Sequence, residues 1–267
     1  MTAPALVLLS PGSHDPRVAS VAHELRDQVL AIRPELDVSV AFLDHCPPSG
    51  LQAVHQLVKR EVSEVVLVPM LLSEAFPASA EVAALAAQLQ AAQPQLRVIT
   101  SRPVGPESSL LSVLDRRLRD ALRARRVSEL DGLVFAAAGS ADVRSNALVA
   151  RRARQWSAHH RLPCVTAFGS ASGPSTAEAI RTLCGQGRRH IAVGSWFLTP
   201  GLRYSRQLEL AQEAGAIAVS APLGPEPEIA QTALARYVVS AMELVDLDGD
   251  AESEAEAPIR HLSVVGA

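Results

Sequence analysis

The feature that most limits how this chain can fold is that it is written twice. The segment VLLSPGSHDPRVASVAHELRDQVL (7–30) aligns with VFAAAGSADVRSNALVARRARQW (134–156). Gly12 and Ser13 fall on Gly139 and Ser140, Asp15 on Asp142, and Arg17 on Arg144. Further blocks repeat in the same order. Ala41-Phe42 meets Ala167-Phe168, Pro48-Ser49 meets Pro174-Ser175, VPMLLSEAF (68–76) meets GSWFLTPGL (194–202), and PVGPE (103–107) meets PLGPE (222–226). The offset drifts only slightly, as short loop deletions would make it. Ordered self-similarity of this kind marks a duplication, here of a unit of roughly 120 residues, an ordinary domain size. The expected division is 1–127, 128–245 and an acidic, small-residue-rich tail at 246–267, read as flexible.

Within each unit, short apolar runs alternate with helical stretches. ALVLLS (5–10) runs into Pro-Gly, as a buried parallel strand does. Residues 16–32 place Val18, Val21, Leu25, Val29 and Ile32 at helical spacing, with Asp15 as N-cap and Pro16 in the first turn. The same patterning predicts strands at 36–42, 62–71 and 96–100 and helices at 49–60, 79–92 and 107–126. In the second unit it predicts strands at 133–137, 163–168, 190–198 and 216–221. Strand then helix, four times over, is the signature of an α/β chain with a parallel sheet and helices on both faces.

Composition excludes several functions. The chain is 48% hydrophobic, enough to bury a core, and its net charge of −3 argues against binding nucleic acid by bulk charge. Aromatics at 3% leave no stacking platform for single strands. No apolar run reaches the ~18 residues of a membrane span. MTAPALVLLSPGS lacks a basic leading region, so no secretory signal and a cytoplasmic location are expected. Cys46, Cys164 and Cys184 are widely spaced with no CxxC, which indicates neither a disulfide framework nor a cysteine zinc site.

In open parallel sheets, ligands bind beyond the carboxyl ends of the strands. Those ends lead into SPGSHDPR (10–17), DHCPPS (44–49) and SEAFPASAE (73–81), and in the second unit into 138–144, 169–175 and 199–205. Two such units facing each other would form a cleft. The first loop either cradles an anion on backbone N–H groups at a helix N-terminus or uses Gly12 only for a tight turn. His14 reads as a metal ligand, an acid/base or a plain polar loop residue. His45 and Cys46 read as soft-metal ligands or as a turn with a buried thiol. His159 and His160 are expected on the solvated C-terminal end of the Trp156 helix. There is no P-loop, GxGxxG or nucleophile elbow.

LVLLSPGSHDPR (6–17), AFLDHCPPS (41–49), VVLVPMLLSEAF (65–76), GLVFAAAGSADVRSNA (132–147), GSWFLTPGL (194–202) and APLGPEPEIAQTALARY (221–237) together resemble one family. They are similar, in order and over about residues 4–240, to the class II tetrapyrrole chelatases of the CbiX type, in their double-length form. The resemblance implies two flavodoxin-like units related by duplication, with a cleft between them. It implies ATP-independent insertion of Co²⁺ or Fe²⁺ into sirohydrochlorin, towards cobalamin or sirohaem, the divalent metal being a substrate. It implies a tetrapyrrole as partner, with no nucleic acid and no membrane. A monomer is expected, because a duplicated chain supplies internally what a half-length relative gains by dimerising.

The resemblance also marks a departure. The family's first metal histidine precedes the Gly-Ser pair, where this chain has Pro11. Its second follows the aromatic of the third loop, where Pro77 follows Phe76; the acid farther along is Glu81. Proline has no side-chain donor atom, and the matching positions of the second unit hold Ala138 and Leu202. The remaining candidate ligands are His14, Glu74 and Glu81, with His14 also the candidate catalytic group. Gly12, Ser13, Arg17 and Phe76 are candidate substrate contacts. Arg17, Arg102 and Arg203 either pair with tetrapyrrole carboxylates or are ordinary surface arginines. Two readings follow: a chelatase with a shifted metal site, or a non-catalytic tetrapyrrole- or metal-binding carrier or regulatory protein on the chelatase fold.

Overall fold

The computed structural model describes residues 3–73, 78–170 and 173–255, with 245–255 as backbone only. Each half forms an all-parallel four-stranded sheet. The first contains β1 (Ala5–Ser10), β2 (Val38–Phe42), β3 (Glu64–Pro69) and β4 (Arg97–Thr100) in the order β2-β1-β3-β4. The second contains β5 (Gly132–Ala137), β6 (Cys164–Phe168), β7 (Ile191–Trp196) and β8 (Ala218–Val219) in the order β6-β5-β7-β8. The registers repeat as well: Leu6 sits opposite Val38 and Val66, and its counterpart Leu133 opposite Cys164 and Ala192. Alternate side chains of one strand enter different cores. Leu6 and Leu8 face the centre of the molecule, while Ala5, Val7 and Leu9 face an outer layer. Burial on both faces is why these strands read as continuous apolar runs. The strand expected at 216–221 contracts to Ala218–Val219, at the sheet edge, where only β7 is available to pair with it.

The helices are α1 (Pro16–Ile32), α2 (Gly50–Val58), α3 (Ala78–Ala92), α4 (Leu111–Ala124), α5 (Val143–His160), α6 (Thr176–Gly185), α7 (Leu202–Glu213) and α8 (Pro227–Ala255). Their starts are set by duplicated caps. The Asp15 carboxylate accepts the Arg17 N–H, and Asp142 accepts those of Arg144 and Ser145. Ser49 with Gln52 and Ser175 with Glu178 close matching capping boxes. Each cap satisfies helix N–H groups that would otherwise lack partners, a contribution of about 1 kcal/mol.

The fourth helix of each half crosses to the other half. α4 packs on β7 and β8, whereas α8 packs on β3, β4 and α1. The result is layered: α2 and α3, the first sheet, a shared layer of α1, α8, α4 and α5, the second sheet, then α6 and α7. The central core contains Leu6, Leu8, Leu114, Phe135, Trp156 and Tyr237, drawn from both halves. The packing therefore runs across the boundary expected between the two units. The α8 backbone stays helical to Ala255, into the segment expected to be flexible, because its alanines and glutamates are good helix formers. Residues 256–267 lie outside the described residues. Among those described, no helix is long and apolar enough to cross a membrane.

Candidate functional site

The strand ends of both sheets open into one cavity of about 770 Å³, in the upper part of the ~300–1,000 Å³ range of ligand sites. One wall belongs to the first unit: Ser10 to Asp15 after β1, Asp44 and His45 after β2, Met70 to Ser73 after β3, and Ala78 and Glu81 on α3. The opposite wall is Ala137 to Gly139 after β5, Trp196 to Thr199 after β7, and Gly201 to Ser205 entering α7. The loops meet closely across the molecule. A Cβ added to Gly201 would lie 3.5 Å from Val18 and 3.8 Å from Ser13, and the Arg17 guanidinium donates to the Pro200 carbonyl at 3.3 Å.

The first loop is held by the second. The Gly12 N–H donates to Asp44 Oδ1 at 2.8 Å, and the Ser13 N–H contacts Cys46 Sγ at 3.4 Å. The Cys46 thiol in turn donates to the Ser13 carbonyl at 3.0 Å. The chain's own carboxylate thus occupies the N–H that would have begun an anion cradle, and Gly12 serves a close approach to the second loop. Glycine is required there because a Cβ would fall 1.6 Å from the Asp44 carbonyl oxygen. Cys46 is tied to Ser13 and is not among the residues that line the cavity.

His45 behaves differently from its neighbour. It adopts φ 54°, in the left-handed region; the other described non-glycine residues of positive φ, Glu61, Arg126 and Arg161, all follow helix ends. Such a conformation costs of order 1–3 kcal/mol and persists only where the surroundings impose it. It brings the His45 ring to 4.4 Å, centroid to centroid, from His14, with the planes tilted by 43°. Both rings line the cavity. Asp44 Oδ2 lies 3.3 Å from His45 Nε2, and Glu81 stands in the first turn of α3. Two imidazoles and two carboxylates therefore border one space; sequence reasoning weighed His14, His45 and Glu81 separately and did not single out Asp44. The pairing of His14 with His45 has no signature in sequence, since it depends on how two loops fold against each other.

The other expected contacts divide. Gly12 and Ser13 line the cavity. Arg17 turns back onto Asp15, 2.6 Å away, and is 65% exposed; this pairing lowers the Asp15 carboxyl from its usual value and raises the guanidinium. Arg17 thus ties loops together outside the cavity wall, and Arg102 also lies outside it. Arg203 does line the cavity. Glu74, Phe76 and Pro77 fall outside the described residues. Sequence reading missed Trp196, whose buried indole N–H at the cavity wall has no partner among the described residues. It also missed Tyr204, whose hydroxyl donates to the Ser220 carbonyl at 3.3 Å and whose pKa burial raises. Leu202 of the second unit is 82% exposed at the cavity.

Comparison with known proteins locates this arrangement. The CbiX family model matches residues 5–121 and again 132–239. The sirohydrochlorin cobaltochelatase of Priestia megaterium is 19% identical over 217 residues, 78% of this chain and 69% of that one. SirB from Bacillus subtilis with Fe³⁺ superposes with a TM-score of 0.71 at 18% identity, covering 95% of this chain and 98% of that one. The sirohydrochlorin chelatase SirB from Bacillus subtilis subspecies spizizenii in complex with cobalt gives 0.72 at 17% identity, over 90% and 96%. CbiX, described as the terminal enzyme of sirohaem biosynthesis in denitrifying bacteria, gives 0.65 at 20% identity, over 89% and 99%. At these identities the structures establish a common fold.

Proposed function

Since this chain belongs to the CbiX family, we propose that it inserts a divalent metal, Co²⁺ or Fe²⁺, into a tetrapyrrole of the sirohydrochlorin type, without ATP, in the cleft between its two units. The observation that carries this reading is the His14–His45 imidazole pair on the wall of a cavity built from both sets of strand ends. The relatives support the choice of substrates: one is named a sirohydrochlorin cobaltochelatase, and SirB is seen with iron and with cobalt.

The chemistry asks three things of the site. A macrocycle needs apolar surfaces for its faces, and Leu71, Leu72, Leu202 and Phe197 line the cavity. Its carboxylates need a cation, for which Arg203 is placed, and the Trp196 N–H is a further donor. The ion must be held on few ligands, shed water and meet two pyrrole N–H groups whose protons it replaces. His14 and His45, as neutral imidazoles, are suited to the ion, and Glu81 or Asp44 to accepting protons. Pro11 cannot ligate, so in this reading the imidazole donors have moved along the first loop and onto the second. Glu74 and Phe76 stay as proposed ligand and substrate contact on sequence grounds. The chain is proposed to act as a cytoplasmic monomer.

The replacement of both family histidine positions by Pro11 and Pro77 favours a second reading, a tetrapyrrole carrier without insertion. Anaerobic absorption spectroscopy of sirohydrochlorin with the protein, with and without Co²⁺ or Fe²⁺ and against a protein-free control, separates the two. Accelerated conversion to the metallated spectrum is expected. A shifted spectrum without acceleration supports the carrier, and no change in either respect overturns both.

A further inference from the structure

A second cluster of metal-ligating side chains lies at the opposite end of α5. His159 and His160 sit at the C-terminal end of α5 as expected, His159 exposed and His160 partly covered, and both also face a buried carboxylate. Asp115, on α4, is 7% exposed. Its Oδ1 accepts the Trp156 indole N–H at 2.5 Å and contacts His160 Nε2 at 2.7 Å. Its Oδ2 faces His159 Nε2 at 3.7 Å. The ligand atoms of Asp115, His159 and His160 all lie within 4.8 Å of one another. We propose that these three residues form a second metal site, separate from the cleft, for one divalent first-row transition ion such as Co²⁺, Ni²⁺, Zn²⁺ or Fe²⁺.

Three features argue for an ion rather than an ion pair alone. The donor set, two imidazoles and one carboxylate, is the type that holds these metals while leaving positions open for water. To share one ion at bonds of about 2.0–2.2 Å, the 2.7 Å contact of His160 with Asp115 must widen slightly and the 3.7 Å separation of His159 from Asp115 must narrow. The Trp156 N–H fixes the carboxylate from the inner side, as an outer hydrogen bond does for a ligating group. The two imidazoles also sit at the C-terminus of α5, where the helix dipole favours a cation. His159, 70% exposed, leaves a path for entry, while His160 is 26% exposed. Ligation requires each Nε2 to be free of its proton, the tautomer with hydrogen on Nδ1. The site is distinct from the cleft. Val149 of α5 lines the cavity, and His160 closes the same helix eleven residues farther on, roughly 16 Å away at 1.5 Å per residue.

The two tryptophans of the chain divide between the two sites, Trp156 beside Asp115 and Trp196 on the cleft wall. Titration with Co²⁺, read by tryptophan emission in a Trp196→Phe background, therefore reports the second site. Saturable quenching is expected. It is expected to weaken at least roughly tenfold in His159→Ala and His160→Ala and to persist in His14→Ala. Should Trp196→Phe fail to fold, the ligand-field absorption of Co²⁺ on otherwise unaltered protein, with and without His159→Ala, gives the same answer. Because His159 is exposed, its removal leaves the fold intact, and insertion into sirohydrochlorin is expected to be unchanged in that variant. Co²⁺ binding that is identical in His159→Ala, His160→Ala and the parent overturns the proposal and leaves a structural ion pair.

Discussion

The hydroxyl of Tyr237, in the last helix, donates a 2.8 Å hydrogen bond to the carbonyl of Pro4, the residue before the first strand begins. The bond joins the two halves of the duplication and is buried, with Tyr237 only 4% exposed. Removing the hydroxyl in Tyr237→Phe is expected to cost about 1 kcal/mol, a fall in Tm of about 2–4 °C for a chain of this size class. Tyr237→Ala also empties part of the shared core and is expected to cost roughly 3–5 kcal/mol. Thermal unfolding followed by circular dichroism checks both; equal effects would mean that the hydrogen bond, not the ring, dominates.

The exchange of α4 and α8 predicts that the repeat unit does not fold alone. In a protein of residues 1–127, β3 and β4 lose their α8 cover and α4 loses the sheet it packs on. The apolar face of α4, with Val113, Leu114 and Leu118, would be left against water. No monodisperse, cooperatively unfolding monomer is expected from gel filtration and thermal melts of that fragment. A stable monomer would show that α4 can turn back onto its own sheet.

In the cleft, His14→Ala and His45→Ala are each expected to reduce metal insertion by roughly tenfold or more. The double variant should lose less than the sum of the two, since the rings act on one ion. Arg203→Ala is expected to act on substrate affinity, raising KM by a few-fold at about 1 kcal/mol for an exposed charge pair, with kcat preserved. Initial rates at varied sirohydrochlorin and metal concentrations separate these effects.

Gly12→Ala tests how the loops are joined. The added methyl would overlap the Asp44 carbonyl at 1.6 Å, so the first two loops must separate and the Gly12–Asp44 bond breaks. A destabilisation of about 1–3 kcal/mol is expected. His45 moves with its loop, so a loss of insertion should accompany it. Unaltered stability would show the approach to be loose.

The two halves are also clamped by charge. Arg116 on α4 contacts Glu226 and Glu228, both at 2.7 Å, and its hydrogen bond lowers the Glu228 carboxyl below the usual 4.5. A carboxyl depressed in the folded state binds protons more readily when unfolded. Its stabilisation is therefore complete above the unfolded value and is lost as pH falls through the folded one. Urea midpoints are expected to drop below about pH 4.5 more steeply in the parent than in Arg116→Gln, which is already weaker near neutrality. Parallel curves would remove this pair from the acid limb.

Much of the fold was legible because its signals are local. Asp15 caps α1 as its place before Pro16 suggested, Asp142, its match in the repeat, caps α5, and α1 spans Pro16–Ile32 as its apolar periodicity required. The cleft position followed from parallel strands, and Gly12 and His14 were found in its wall. The partner of His14 was not legible. His45 and Cys46 are adjacent in sequence, yet one lines the cavity and the other bonds to Ser13. That division rests on the φ of His45, which no composition or period encodes.

The sequence by itself determined the duplication, the α/β class, the sheet-forming runs, the helix starts and the loss of imidazole at Pro11. Each of these is written within a few residues or in a repeat. Only the tertiary structure decided that α4 and α8 change places, that His14 meets His45, and that Asp115 meets His160 across 45 residues of chain. An amphipathic helix specifies that an apolar face must be buried, but not against which sheet; burial is non-directional and proportional to area. The choice among surfaces, and with it the meeting of side chains far apart in sequence, is made by the packing of the whole molecule.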